Sequence, residues 1–150
     1  MTKKATLFYL ILFCAGCAQS QSDKFEILST KEHESRNLPF SQAIKAGGFI
    51  FLSGEIGTLP GSMELVPGGI KAETRQIMEN MSGTLGRAGA SMNDVVKCTV
   101  FIEDMSLWPQ MNEIYVTYFP NHKPARSAVG ADGIALGGAV EIECIALAPD

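Results

Sequence analysis

Arg126 in HKPARSAV, and the pair Glu141 and Glu143 in AVEIECIA, are the residues here whose types and settings suit chemistry. A guanidinium is a planar fork of five N–H donors that matches a carboxylate. Pro124 restricts the backbone leading up to Arg126. A salt bridge to a surface acid is the plainer use of such an arginine. The two glutamates alternate with Val140, Ile142 and Cys144, so on a strand they point away from the apolar set. A carboxylate on a packed face must be paired or used. For Glu143 a solvated position or a structural ion pair suffices; the reading of Glu141 is tied to that of Arg126.

The other reactive side chains are less promising. His33 and His122 have no metal-ligand spacing with other histidines or cysteines, so no metal site is expected and both read as surface residues. Cys98 and Cys144 each fall on the apolar parity of a strand, where a free cysteine behaves as a small hydrophobe. That reading is preferred; a disulfide between them stays open in an oxidising compartment.

The remaining two cysteines belong to the N-terminus, MTKKATLFYLILFCAGCAQSQSD. Lys3 and Lys4 form a basic n-region, residues 5–13 a short apolar h-region, and Ala15 and Gly16 a small-residue cleavage site. The apolar run is too short for a comfortable membrane span. C-A-G-C resembles a bacterial lipobox with Cys17 as the lipidated residue, imperfect only at Cys14, where leucine is usual. The expected organisation is a lipoprotein-type signal peptide at 1–16, a polar tether at 17–23 and one domain at 24–150. The protein would be exported to the cell envelope and held at a membrane by its lipid anchor, each buried methylene contributing about 0.8 kcal/mol. Plain signal cleavage and an uncleaved signal anchor are the alternatives.

A chain of 150 residues, 46% hydrophobic and 19% charged, is one globular domain with room for a core and not a disordered chain. Its formal charge is −4; losing residues 1–16 removes two lysines and no acid, leaving 10 basic and 16 acidic residues and a net of −6. With no clustered Lys or Arg outside the leader, a nucleic-acid partner is not expected.

The elements that must position Arg126 and Glu141 follow from periodicity. KFEILST (24–30) reads as a strand and SRNLPFSQ as a loop. AIKAGGFIFLSGE reads as a hairpin turning at Gly47-Gly48. Apolar positions 70, 77, 78, 81, 85 and 88 mark an amphipathic helix from Ile70 to Ala88, with Gly89 as its C-terminal stop. DVVKCTVFIED (94–104) is a strand with Val96, Cys98, Val100 and Ile102 on one face. Ser106 offers an N-cap for a helix over 107–119, with Pro109 in its first turn. Leu107, Met111, Ile114, Tyr115 and Tyr118 form its inner stripe. AVEIECIALA is the last strand. Two helices on one face of a mixed sheet make an α+β sandwich. Phe49, Phe51, Phe101 and Ile145 leave the other face too apolar for water, which predicts a partner, most simply another copy.

The stretches PFSQAIKAGGFIFLSGEIG, ETRQIMEN, DVVKCTVFIEDM, MNEIYVTYF, HKPARSAV and AVEIECIA, in that order and spacing, resemble the YjgF/YER057c/UK114 family, also called the Rid family of reactive-intermediate deaminases. The likeness covers residues 36–148. It implies a chorismate-mutase-like α+β fold, a homotrimer with inward-facing sheets and active clefts between subunits. It implies hydrolysis of enamines and imines of the 2-aminoacrylate and 2-iminobutanoate type to 2-keto acids and ammonia, without metal or organic cofactor. It also implies roles for particular residues. Arg126 binds the substrate carboxylate and Glu141 positions the attacking water. Ser53, Gly54 and Asn112 line the cleft.

The chain departs from the family pattern in three places. The usual P-Y-S-Q reads P-F-S-Q, so Phe40 lacks a hydroxyl. The position two after the arginine, often cysteine or threonine, is Ala128. GADGIALGG lacks the usual leucine-proline turn. The cleft is therefore expected to be more apolar, with altered efficiency or substrate preference. Reactive enamines arise mainly in the cytoplasm, whereas the leader points outward. A non-catalytic envelope trimer that holds small carboxylates through Arg126 is thus the alternative function. A purely structural trimer ranks third, and a ribonuclease role is disfavoured by charge.

Overall fold

The computed structural model describes residues 24–149. The expected signal peptide, the tether and Cys17 lie outside the described residues. Ten elements follow in order: β1 (Glu26–Leu28), α1 (Lys31–Ser35), β2 (Ala43–Ala46), β3 (Phe49–Leu52), β4 (Glu55–Ile56), α2 (Gly69–Arg87), β5 (Val95–Ile102), α3 (Trp108–Tyr115), β6 (Ala125–Gly130) and β7 (Val140–Leu147). The strands form one mixed sheet in the order β1-β2-β3-β7-β5-β6, with β4 pairing β7 beyond the end of β3. Only β5 and β6 run parallel; α3 makes their crossover. The α+β reading, with two main helices on one face of a mixed sheet, holds.

Local chemistry explains most of these elements. Gly47 and Gly48 have φ of 57° and 83°, the two left-handed residues that a two-residue hairpin turn requires between β2 and β3. The α2 helix buries Ile70, Ile77, Met78, Met81 and Leu85 against the sheet. It stops at Gly89 (φ 76°), with the Ala90 N–H bonding the Leu85 carbonyl and the Gly89 N–H the Gly86 carbonyl. That is a Schellman motif, which closes carbonyls a helix end would otherwise leave bare.

Four expectations are corrected. SRNLPFSQ is not all loop. Its Ser35 ends α1, which starts after Thr30, whose hydroxyl accepts from the His33 N–H. Val96 does not face inward; a β-bulge between Val95 and Lys97 buries Val95 and turns Val96 to solvent. The helix expected over 107–119 is a short α-helix between two 3-10 turns, Met105–Leu107 and Val116–Tyr118. The first of these turns is capped by Asp104, whose carboxylate accepts from the Ser106 N–H, because the chain turns two residues earlier than a Ser106 cap would have it. Finally, Cys98 and Cys144 are not free core thiols. They are register partners on β5 and β7 with Cα atoms 4.1 Å apart, and they form a buried disulfide.

On β7, Val140, Ile142, Cys144 and Ala146 are buried beneath the helices, and the intervening positions face the other way. That other face carries Phe49 and Phe51, 39% and 44% exposed. It is the apolar, helix-free face that the alternation predicts. No helix among the described residues is long and apolar enough to cross a membrane.

Candidate active site

Glu141 lies where β4 joins β7. Its backbone pairs with Ile56 on one side and Phe101 on the other. Alternation sends its side chain away from buried Val140 and Ile142. Gly54 passes directly over it. A Cβ built there would lie 1.9 Å from Glu141 Oε1, so only a glycine lets the backbone approach the carboxylate this closely. Ser53 fixes that approach: its hydroxyl donates to the Ser41 carbonyl at 2.7 Å and its N–H to the Gln42 carbonyl at 3.1 Å. Phe40, half-exposed, meets His33 edge-on at 5.3 Å, and His33 Nε2 lies 2.8 Å from the Phe40 carbonyl oxygen.

These residues line a half-open cavity of about 780 Å³, whose walls include Glu55 and, from α2, Asn80 and Arg87. The cavity walls alter its acids. Burial, reinforced by the nearby Glu143 charge, raises the Glu141 carboxyl above its ordinary pKa. Burial also raises Glu55, against the hydrogen bond that Asn80 Nδ2 donates to Glu55 Oε1 at 3.0 Å.

Arg126 lies elsewhere. On edge strand β6 it pairs with Cys98, which points to the helices, and its guanidinium stacks on α3. Its Cζ is 4.8 Å from the Tyr115 ring centroid and 6.0 Å from that of Trp108. Among the described residues none accepts a hydrogen bond from its side chain, and neither ion pair involves it. Among the described residues the surface salt bridge that would be its plainer use is not made. Asn112 falls between Trp108 and Tyr115 at helical spacing, on the same side of α3. Ala128, two residues past Arg126, packs against the core.

The predicted residues thus separate into two groups. Phe40, Ser53, Gly54 and Glu141 meet in the cavity; Arg126 stacks on α3, which carries Asn112, and Ala128 follows Arg126 on β6. One subunit does not bring the groups together. Arg126 is level with Cys98 of β5, and Glu141 with Phe101, three residues further on and on the opposite face. Sequence reasoning missed Glu55, Asn80 and Arg87 in the cavity, as well as Trp108 as a wall for Arg126. The spacing of Trp108, Asn112 and Tyr115 at i, i+4 and i+7 was the available signal for the last. His33, taken as a surface residue, lines the cavity instead.

In chemical terms one group offers an unpaired cationic fork and the other a carboxylate primed to take a proton. Brought together they could hold a carboxylate-bearing molecule and activate a water beside it. Among the described residues no cluster of His, Cys, Asp and Glu is arranged to hold a metal.

Residues 31–148 match the family model described as Endoribonuclease L-PSP. A RutC family protein of Pyrococcus horikoshii is 45% identical over 121 residues, covering 81% of this chain and 96% of that protein. The 2-iminobutanoate/2-iminopropanoate deaminase of Mus musculus is 40% identical over 122 residues, covering 81% of this chain and 90% of the mouse protein. The crystal structure of E. coli TdcF with bound serine superposes with a TM-score of 0.69 at 32% identity, covering 75% of this chain and 90% of that one. With the ordered motifs and the mixed sheet already described, these likenesses make the chain a member of the YjgF/YER057c/UK114, or Rid, family.

Proposed function

We propose that this protein hydrolyses reactive imines and enamines of the 2-iminobutanoate and 2-aminoacrylate type to 2-keto acids and ammonia, as a homotrimer. Arg126 of one subunit faces Glu141 of the partner subunit. The observation that carries the reading is the division of the site: an arginine with free donors and a carboxylate with a raised pKa leave opposite faces of one sheet. A site that needs both is completed only between copies. The apolar face bearing Phe49 and Phe51 supports such an assembly, and the deaminase name of the mouse relative supports the reaction.

Arg126 grips the substrate carboxylate and so sets the adjacent C=N carbon. Glu141 holds a water and takes its proton as the oxygen adds to that carbon. The resulting carbinolamine collapses to the C=O bond and releases ammonia, its nitrogen protonated in exchange. No strong nucleophile is needed, because the imine carbon is already electrophilic.

We further propose export and lipidation at Cys17. The Cys98–Cys144 disulfide supports an oxidising destination, since reducing compartments disfavour such bonds. The deciding experiment generates 2-iminobutanoate in situ from threonine with a dehydratase, with semicarbazide as a competing trap. The purified protein is expected to speed keto-acid formation and lower semicarbazone formation, and Arg126→Ala to lose both effects. Without acceleration by folded, oligomeric protein, the deaminase reading fails for this substrate. Arg126-dependent binding of the keto acid without turnover would then favour the carboxylate-binding alternative, which Phe40 and Ala128, both without polar groups, would suit.

A further inference from the structure

Arg126 is held by ring faces, not by acceptors. A half-buried guanidinium loses part of its hydration, and a structural arginine normally recovers it through carboxylates or carbonyls. Here no described residue provides one. Instead the cation lies over Tyr115 at 4.8 Å and near Trp108 at 6.0 Å. The Tyr115 ring is itself fixed. It is 5% exposed and packs on fully buried Phe119 at 4.9 Å, which closes with His122 in an edge contact. A ring face attracts a cation without using its N–H edges. The edges, where a carboxylate binds side-on, remain free. The Tyr115 hydroxyl adds a second observation: it is buried with no hydrogen-bond partner among the described residues, so the ring is not placed there to satisfy its polar end. Its pKa is pushed up to about 12 by burial, so it stays a neutral phenol beside the cation.

We propose that Trp108 and Tyr115 are positioning residues for Arg126: they clamp the guanidinium by its faces so that its edge is presented to the carboxylate of a small 2-imino or 2-keto acid. This rests on Arg126 as the carboxylate anchor. Trp108, on the first turn of α3, is 40% exposed, so replacing it tests the clamp without opening the core.

Trp108 is the single tryptophan of the chain, so its fluorescence reports on the site directly. The test titrates the purified protein with 2-oxobutanoate, reading tryptophan fluorescence and heat, and measures KM and kcat in the imine assay. Saturable quenching is expected, absent in Arg126→Ala. Trp108→Leu is expected to weaken 2-oxobutanoate binding and raise KM by roughly tenfold each, with kcat within about twofold, because it removes one cation–ring contact and no reacting group. Trp108→Phe keeps a ring and is expected to recover most of that loss. Unchanged binding and KM in Trp108→Leu would overturn the clamp. So would a fall confined to kcat, which would put the ring at the reacting atoms. Arg126-dependent binding without turnover sinks the deaminase reading and leaves the clamp standing. Turnover that is indifferent to Trp108→Leu sinks the clamp alone.

Discussion

Arg126 and Glu141 leave opposite faces of one sheet, on strands β6 and β7 that are separated by β5. A small imino acid cannot touch both within a subunit. If the working site joins Arg126 of one copy to Glu141 of the partner subunit, two inactive variants repair each other. Arg126→Ala and Glu141→Gln, each inactive alone, should give mixed trimers with about one quarter of full activity when co-expressed in equal amounts. Each inter-subunit site then receives two intact residues in about one arrangement of four. Mixing the two variants without any recovery of turnover would place the site inside one subunit, against the register.

Gly54 is the second place where geometry makes a sharp demand. Gly54→Ala puts a methyl group onto Glu141 Oε1, so the carboxylate must move. Turnover is expected to fall at least tenfold, as misplacement of a catalytic group costs, while the unfolding midpoint changes little. Gly86→Ala is the matched control. It lies in α2, exposed, with nothing within 4 Å of a new Cβ, and should gain roughly 0.5–1 kcal/mol of stability with unchanged kinetics. Equal effects from both substitutions would remove Gly54 from the site.

The pH profile should carry the mark of Glu141. Burial first, and then the Glu143 charge, raise its pKa, so its carboxylate is lost on acidification earlier than that of an ordinary glutamate. In the proposed reaction the working form is the carboxylate, so the rate should fall as pH drops through that raised value, with the acid limb above the ordinary 4.5. Glu143→Gln removes the repelling charge and should shift the limb toward lower pH. For stability the sign is opposite. A carboxyl whose folded pKa is raised favours the folded state at low pH, and that contribution fades as pH rises through the folded value. Glu141→Gln should therefore not destabilise the protein at neutral pH, which thermal unfolding alongside the rate profile would check.

Much of the arrangement is legible in the residues themselves. Period-two alternation assigns Glu141 its face because β7 is regular from Val140 to Leu147. Gly47-Gly48 marks the hairpin because few other residues tolerate two successive positive φ angles. Alternation fails at Val96, because one bulged residue inverts the parity of everything before it, and a bulge depends on the partner strand. The disulfide was not legible for the same reason. Cys98 and Cys144 are opposite one another only once the β5–β7 register is set, and that register is fixed by long-range packing. Asn80 and Arg87 reach the cavity from α2, where the helical stripe identifies the buried face but not what the flank meets.

The disulfide gives the last prediction, which bears on where the protein works. It closes a loop with a sequence separation of 46, between two strands at the centre of the sheet. Cross-linking such a loop restricts the unfolded chain, with a typical stabilisation of about 2–4 kcal/mol. Denaturant unfolding in the presence of a strong thiol reductant should therefore show a lower midpoint. The double variant Cys98→Ala, Cys144→Ala should match the reduced protein and ignore the reductant. Disulfides form and persist mainly where thiols are kept oxidised, so an intact Cys98–Cys144 bond in protein isolated from its native cells under thiol trapping would agree with the proposed export through the CAGC leader. A midpoint indifferent to reductant, with two titratable thiols in protein isolated from its native cells under thiol-trapping conditions, would mean that the pair is reduced in place. The proposed export would then lose its argument from the disulfide, and a cytoplasmic supply of enamine would become the simpler source of substrate.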